Sequence, residues 1–208
     1  MNIDELIKSE LSFLGSSLLN DITTSSSTVH FEKDTELLRE GQFVKVIPIV
    51  LKGLIKVFSR YEDKDLLLYY IKPSESCVMS FSASLKNTPS QVFAVTEEET
   101  TVLLLPVNKV ENWGKKFPNF NQLFFEQYNV RYNELLKTIN HLIFDKLDVR
   151  LYNYLAEKKD ITRKNPIKIS HRQIANELGT AREVISRLIK KLEGENKLKQ
   201  LTNQIEIL

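Results

Sequence analysis

Cysteine is nearly missing from this 208-residue chain: Cys77 is the only one. A single thiol excludes an intramolecular disulfide and a cysteine-ligated iron-sulfur cluster within one chain. Histidine is scarce too, and His30, His141 and His171 are too scattered to form a zinc set, so no metal ligand is assigned. Long apolar runs are also lacking. No stretch approaches a membrane span, and the N-terminal "MNIDELIKSELSFLGSSLL" carries acids and an amphipathic pattern where a secretion signal has a basic end and an unbroken apolar core. A cytoplasmic protein without membrane contact is expected. No glycine-rich phosphate loop follows a strand, Cys77 has no histidine nearby in sequence, and no carboxylate pair is placed for acid–base work. No catalytic residue is assigned, and an enzyme is not expected.

What is present is an ordinary globular composition, 42% hydrophobic and 27% charged, enough for one good core or two small ones. The net charge of +2 is unevenly spread: residues 161–208 hold ten Lys and Arg against five Asp and Glu, or +5, leaving −3 for residues 1–160. A basic C-terminal end is what a nucleic-acid footprint shows. From Val29 to about Val107, the runs "VHFEKDTELL", "PIVLKGLIKVFSR", "DLLLYYIK" and "TTVLLLPV" are broken at Gly41, Gly53, "YEDKD" and Pro73, the spacing of an all-β roll or barrel. Glu97, Glu98 and Glu99 between strands read as a solvated turn, and "TTSSST" (Thr23 to Thr28) as a linker.

The period changes at Pro118. The following stretch, to about Lys146, has no glycine or second proline, and Phe125, Tyr128, Tyr132, Leu135, Ile139 and Leu142 recur in steps of three and four. This predicts a long helix with an a/d seam for a second copy, flanked by Leu136 and Ile143. At 1.5 Å per residue the helix would be about 40 Å long, more than a small β-domain needs. A homodimer is therefore expected. "DVRLYNYLAEKK" predicts a further short helix.

The strongest signal is "ISHRQIANELGTAREVISRLIKKLEGE". Ser170 and Gln173 have capping-box spacing, Ile174 and Leu178 point inward, and Ala175 permits a close helix crossing. Gly179 suits a left-handed turn into a second helix, which Thr180 can cap. That helix buries Val184, Ile185, Leu188 and Leu192 and exposes Arg182, Glu183, Ser186, Arg187 and Lys190. The arrangement is a helix-turn-helix, whose second helix enters the major groove. Arginine can fork onto guanine, glutamate can accept from cytosine, and serine and lysine can hold phosphates. "NKLKQLTNQIEIL" adds two strand-like pieces around a turn, as in a β-wing.

Together, "ELLREGQFVKVIPIVLKGLIKVFSR", the long helix and "HRQIANELGTAREVISRLIKKLE" resemble the cyclic-AMP receptor protein and FNR (Crp/Fnr) family of bacterial transcription regulators. "REVISR" matches the family's Arg-Glu-x-x-x-Arg pattern and its Glu-x-x-Ser-Arg variant. The resemblance implies an α+β fold: a cyclic-nucleotide-binding-like β-roll (jelly roll) with an N-terminal helix over residues 1–117, a dimerisation helix over 118–145, and a winged helix-turn-helix over 146–208. It implies that Arg182, Glu183 and Arg187 read bases with Ser186 in support, and that Ser170, His171, Arg172, Thr180 and Lys190 complete the DNA-binding set. The implied partners are near-palindromic double-stranded DNA, RNA polymerase and a small-molecule effector. The implied mechanism moves the dimer helix and a hinge at Asp145 to Asp148 to set the recognition helices in register.

The sensor signature is altered. Nucleotide-binding members use a Gly-Glu pair and an Arg-Ser or Arg-Ala pair, where this chain has Ser74-Glu75 and Pro89-Ser90. No arginine lies between Arg60 and Arg131, and Leu135 and Leu136 replace the polar pair that meets adenine. A buried phosphate without a cation is costly, and Lys86 offers only a point charge. Cyclic-nucleotide binding is not expected, and the effector pocket is assigned to Glu75, Ser76, Cys77, Ser90, Leu135 and Leu136 with no cofactor named. Two alternatives stay open: a haem- or redox-responsive regulator using Cys77 with His141, and a ligand-binding or protein-interaction module without DNA binding.

Overall fold

The structure, a computed structural model, describes residues 3–61 and 64–208, except the side chains of residues 64, 137 and 140–144. The chain divides into two compact units, residues 1–59 with 68–134, and residues 60–67 with 135–208.

The first unit opens with helices α1 (Ile3–Leu11) and α2 (Ser16–Ser25), joined by a 3-10 turn, Ser12–Leu14. "TTSSST" is not a linker: Thr23, Thr24 and Ser25 close α2, and Ser27 and Thr28 open β1. The Thr23 and Thr24 hydroxyls donate to the carbonyls of Leu19 and Asn20, so these polar residues satisfy themselves on a helix. The strands β1 (Ser27–Phe31), β2 (Glu36–Leu38), β3 (Val46–Lys52), β4 (Ile55–Tyr61) and β5 (Lys64–Ile71) are followed by α3 (Val78–Lys86), β6 (Phe93–Thr96), β7 (Thr100–Pro106), α4 (Val107–Lys116) and α5 (Pro118–Phe144). They form antiparallel sheets ordered β1-β7-β3 and β2-β6-β4-β5.

Strand alternation separates two cores. Val50 and Val102 face Ile55, Val57, Ile71 and Ala94 between the sheets. Ile47, Ile49, Leu51, Leu103 and Leu105 point the other way, onto Leu11, Leu18, Ile22, Trp113, Phe120 and Phe124 of the helices. The β3–β4 turn requires glycine: Gly53 has φ +96°, and a Cβ there would lie 2.5 Å from the Glu99 carbonyl oxygen. Glu97 departs from the expected solvated turn. It is buried, with its carboxylate 2.8 Å from the equally buried Lys56 ammonium, so the pair neutralises itself within the sheet.

The second unit contains α6 (Leu147–Thr162), longer than the short helix expected, then β8 (Ile167–Lys168), α7 (His171–Glu177), α8 (Arg182–Gly194), β9 (Leu198–Leu201) and β10 (Gln204–Ile207). The last two strands pair antiparallel across Thr202 and Asn203, the expected wing, and β8 pairs with β10. Leu151 and Leu155 of α6, Ile174 of α7, Ile185, Ile189 and Leu192 of α8, and Leu198, Ile205 and Ile207 of the wing share one core. Of the stripe expected on α8, Ile185 and Leu192 are fully buried, Val184 and Leu188 are half-buried, and Ile189 completes the inner face. Among the described residues no helix is long and apolar enough to cross a membrane, and no cluster of three potential metal ligands occurs.

Candidate nucleic-acid interface

The Ser170 hydroxyl accepts the Gln173 amide at 3.1 Å and starts α7. Only half of the expected capping box forms. The Gln173 side chain donates to the buried Glu177 carboxylate at 2.9 Å, a charge-assisted bond, instead of turning back to accept the Ser170 amide. At the other end, Gly179 has φ +66°, the Gly179 amide donates to Asn176 and the Thr180 amide to Ala175. This is a Schellman termination, which ends α7 and redirects the chain. Thr180 is consequently used by the turn, and Ala181 occupies the N-cap of α8 without a side-chain bond. The expected Thr180 cap is one residue too early.

Beneath the turn, Glu177 accepts from the Tyr154 hydroxyl and lies 3.5 Å from the Lys158 ammonium, all three buried. This network fixes α7 on α6. On the outer side, Arg182, Glu183, Arg187 and Lys190 are exposed along α8, with Ser170 and Arg172 exposed at the start of α7. Among the described residues, Arg172, Arg182, Arg187 and Lys190 enter no ion pair, and Glu183 does not pair with Arg187, whose Nε reaches only the Glu183 carbonyl at 3.5 Å. By contrast Lys191 is bound to Asp148, which lowers the Asp148 carboxyl from its ordinary value through that hydrogen bond. Arg172, Arg182, Arg187 and Lys190 are thus unmatched by carboxylates among the described residues.

His171 Nδ1 lies 2.9 Å from the Ser186 Oγ, and Ser186 Oγ donates to the Arg182 carbonyl at 3.0 Å. Burial, then the charge of Arg182, holds the imidazole below its ordinary value. A groove of about 450 Å³ opens here, lined by Ser170, His171, Arg172, Arg182 and the wing residues Asn203 and Gln204. The wing's contribution carries no charge, which is why charge patterning in the sequence did not single it out.

In the roll, most of the expected effector residues serve the fold. Ser76 is fully buried, donating from its amide to Gln127 Oε1 at 2.7 Å and from its hydroxyl to the Pro48 carbonyl at 2.7 Å. Cys77 is the N-cap of α3, with its sulfur accepting the Ser80 amide at 3.4 Å and lying 3.7 Å from the Tyr69 hydroxyl. Burial, followed by the neighbouring Cys77, pushes the Tyr69 hydroxyl well above its ordinary value. Ser90 is buried in a hook onto the Val92 backbone. Leu135 and Leu136 are exposed on α5.

The residue missed from the sequence is Arg131. Only 8% exposed, it binds Glu75 through Nη2 and Glu134 through Nη1, and its guanidinium stacks 4.5 Å from the Tyr69 ring. Burial works to lower its value, but Glu75 and Glu134 outweigh that and raise it. Gln127 and Arg131 continue the inward stripe Phe120, Leu123 and Phe124, so polar residues at inward spacing were the available signal. On the outer face, Phe125, Tyr132, Leu135 and Ile139 are 73%, 61%, 52% and 40% exposed. Tyr128 is less so because its hydroxyl donates to the Val78 carbonyl at 3.1 Å. The side chains of Leu142 and His141 lie outside the described residues.

These features define a winged helix-turn-helix protein carrying a two-sheet β-roll. Residues 149–208 match the Crp-like helix-turn-helix domain family. No curated protein sequence matches the chain. Among solved structures, a Crp/Fnr-family transcriptional regulator from Eubacterium rectale is 23% identical, with a TM-score of 0.83 over 95% of this chain and 92% of that one. The c-di-GMP responsive global regulator CLP from Xanthomonas campestris is 14% identical, with a TM-score of 0.82 over 93% and 99%. A CooA mutant from Carboxydothermus hydrogenoformans is 20% identical, with a TM-score of 0.71 over 96% and 90%. The C-terminal region is therefore a Crp-like helix-turn-helix domain, and the whole chain has the fold of the Crp/Fnr transcription regulators. The resemblance read from "REVISR" and the roll is borne out.

Proposed function

We propose that this protein is a homodimeric, sequence-specific DNA-binding transcription regulator, controlled allosterically through its roll. The observation that carries the reading is the exposed face of α8, where Arg182, Arg187 and Lys190 have no ion-pair partner among the described residues, in a Crp-like helix-turn-helix. Arg182, Glu183 and Arg187 read base edges, Ser186 supports them, and Ser170, His171, Arg172, Thr180 and Lys190 hold the backbone. The exposed stripe from Phe125 to Ile139 is the surface for the second copy. RNA polymerase is a further partner.

Control runs through α5. Gln127, Tyr128 and Arg131 bind Ser76, Val78 and Glu75 respectively, so a change in that segment is transmitted directly to the helix. The effector is not a cyclic nucleotide in this reading. Arg131 is already matched by two carboxylates, with which a phosphate would have to compete. Haem does not suit Cys77 either, since its sulfur is packed in the core and caps α3.

The test is binding to a duplex selected from a random pool by the wild-type protein. Arg182→Ala and Arg187→Ala should each weaken binding to the selected duplex by about 5- to 150-fold, about 1–3 kcal/mol per lost bidentate contact, while barely changing affinity for unrelated DNA. Equal losses on both duplexes would make these arginines phosphate contacts, and no loss would refute the assignment.

A further inference from the structure

Three observations converge on His171. First, Ser186 has one hydroxyl hydrogen, and it is given to the Arg182 carbonyl at 3.0 Å. The 2.9 Å contact between His171 Nδ1 and Ser186 Oγ therefore needs Nδ1–H as donor, which leaves Nε2 as the nitrogen that titrates. Second, the groove beside the ring has an anion's environment. Its charged lining is Arg172 from α7 and Arg182 from α8, the wing contributes only neutral Gln200, Asn203 and Gln204, and no carboxylate lines it. Third, the chain has only three histidines, and among the described side chains His171 is the one on the proposed recognition surface, so few other side chains there change charge between pH 6 and 8.

Resting on the DNA-binding reading above, we propose that His171 is a proton-linked positioning residue of the DNA interface. It holds Ser186 through Nδ1–H and takes up a proton at Nε2 when a backbone phosphate enters the adjoining groove. Without DNA the neutral ring is favoured, first by burial and then by repulsion from Arg182. A phosphate offsets that repulsion and supplies a counter-charge, so the bound state takes up a proton that the free state lacks. Affinity must then rise as pH falls, by up to about tenfold per pH unit for each protomer in the window between the free and bound values. The effect on the free protein has the opposite sign. A ring held below its unfolded value favours the fold at neutral pH, and that contribution fades on acidification.

The experiment measures binding of a pool-selected duplex by fluorescence anisotropy from pH 6.0 to 8.0 at fixed ionic strength, for the wild type and His171→Asn. Asparagine places an N–H donor where Nδ1–H sits but cannot accept a second proton, so a merely structural role would survive the change. The expected result is a several-fold gain in affinity from pH 8 toward pH 6 in the wild type and a flat profile in His171→Asn, each measured relative to its own affinity at pH 8. NMR titration of the imidazole should show its midpoint rising when duplex is added. A flat wild-type profile, or an equal slope in His171→Asn, overturns the inference while leaving DNA binding intact. Failure of the wild type to select any duplex overturns the regulator reading itself, and this inference with it.

Discussion

Arg131→Met is the perturbation most informative about the roll. Methionine keeps much of the aliphatic volume under Tyr69 but removes the guanidinium that holds Glu75 and Glu134. Breaking a buried ion pair from one side costs about 3–5 kcal/mol, because the remaining charge stays desolvated. Here Glu75 keeps a quarter of its side chain exposed and Glu134 more than a third, so water recovers part of that cost. Loss of the stacking on Tyr69 adds up to about 1 kcal/mol. The balance is a destabilisation of about 3 kcal/mol, confined to the roll. Trp113, the only tryptophan, is buried in that unit and bonded to Asp21 at 2.9 Å, so its fluorescence follows roll unfolding in urea. The control is Glu75→Gln combined with Arg131→Met, which removes the stranded carboxylate as well. The double variant should be more stable than Arg131→Met alone by about 1 kcal/mol or more, since residues in one network couple. If the two substitutions add to within about 0.5 kcal/mol, the Arg131–Glu75 pair does not tie α5 to the roll, and the transmission route through it fails.

Lys158→Met should cost up to about 3–5 kcal/mol in the DNA-binding unit by removing the ammonium beside the buried Glu177 carboxylate, and adding Glu177→Gln should restore part of it. Hydrogen exchange across residues 147–178 reads this directly, and unchanged protection in Lys158→Met would show that the pair does not anchor α7. For the proposed dimer, Leu135→Asp with Ile139→Asp removes two apolar side chains worth about 1.5–3 kcal/mol each when fully buried. Sedimentation equilibrium should then report monomer where the wild type is dimeric, and an intact dimer would place the interface elsewhere.

The helix-turn-helix was legible because each of its parts is a local rule: a serine cap, a glycine in the left-handed region, and apolar residues at helical spacing. Its errors were local too, since Thr180 and Gln173 could serve two partners and only the folded context decides between them. The strands of the roll were legible from alternation and turn residues. Helix α3 was not. Its serines and lone cysteine have no strong helical preference, and it is held by capping from Cys77 and by Phe81 stacked on Phe124. Glu97 and Arg131 stayed hidden for a related reason. Each is a charged residue buried by a partner distant in sequence, Lys56 and Glu75, and no single-sequence periodicity records such a pairing. On α5 the three-and-four spacing of apolar residues marks the outward seam but carries no signal for Gln127 and Arg131 on the opposite face.

The distribution of paired and unpaired charge separates structure from function in this chain. Where the fold encloses charge it also matches it: Lys56 with Glu97, Arg131 with Glu75 and Glu134, Lys158 with Glu177. Such matching is required, because an isolated buried charge costs more than the fold can spare. On α8 the pattern reverses. Lys191 is paired twice on the side that meets Asp148 and Glu195, while Arg182, Arg187 and Lys190 are left unmatched among the described residues, with glutamates within reach along the same helix. Exposed helices gain a few tenths of a kcal/mol from each i,i+4 pair, so a purely structural helix would have used Glu183 with Arg187. Instead the Arg187 side chain turns to the Glu183 carbonyl, and the Glu183 carboxylate is not spent on Arg187. In the proposed reading, a surface that forgoes its own ion pairs beside a groove lined by two arginines and a histidine is organised around an anion outside the chain. In the regulator proposed above, the phosphates and bases of a DNA duplex supply that anion and the donors for Glu183.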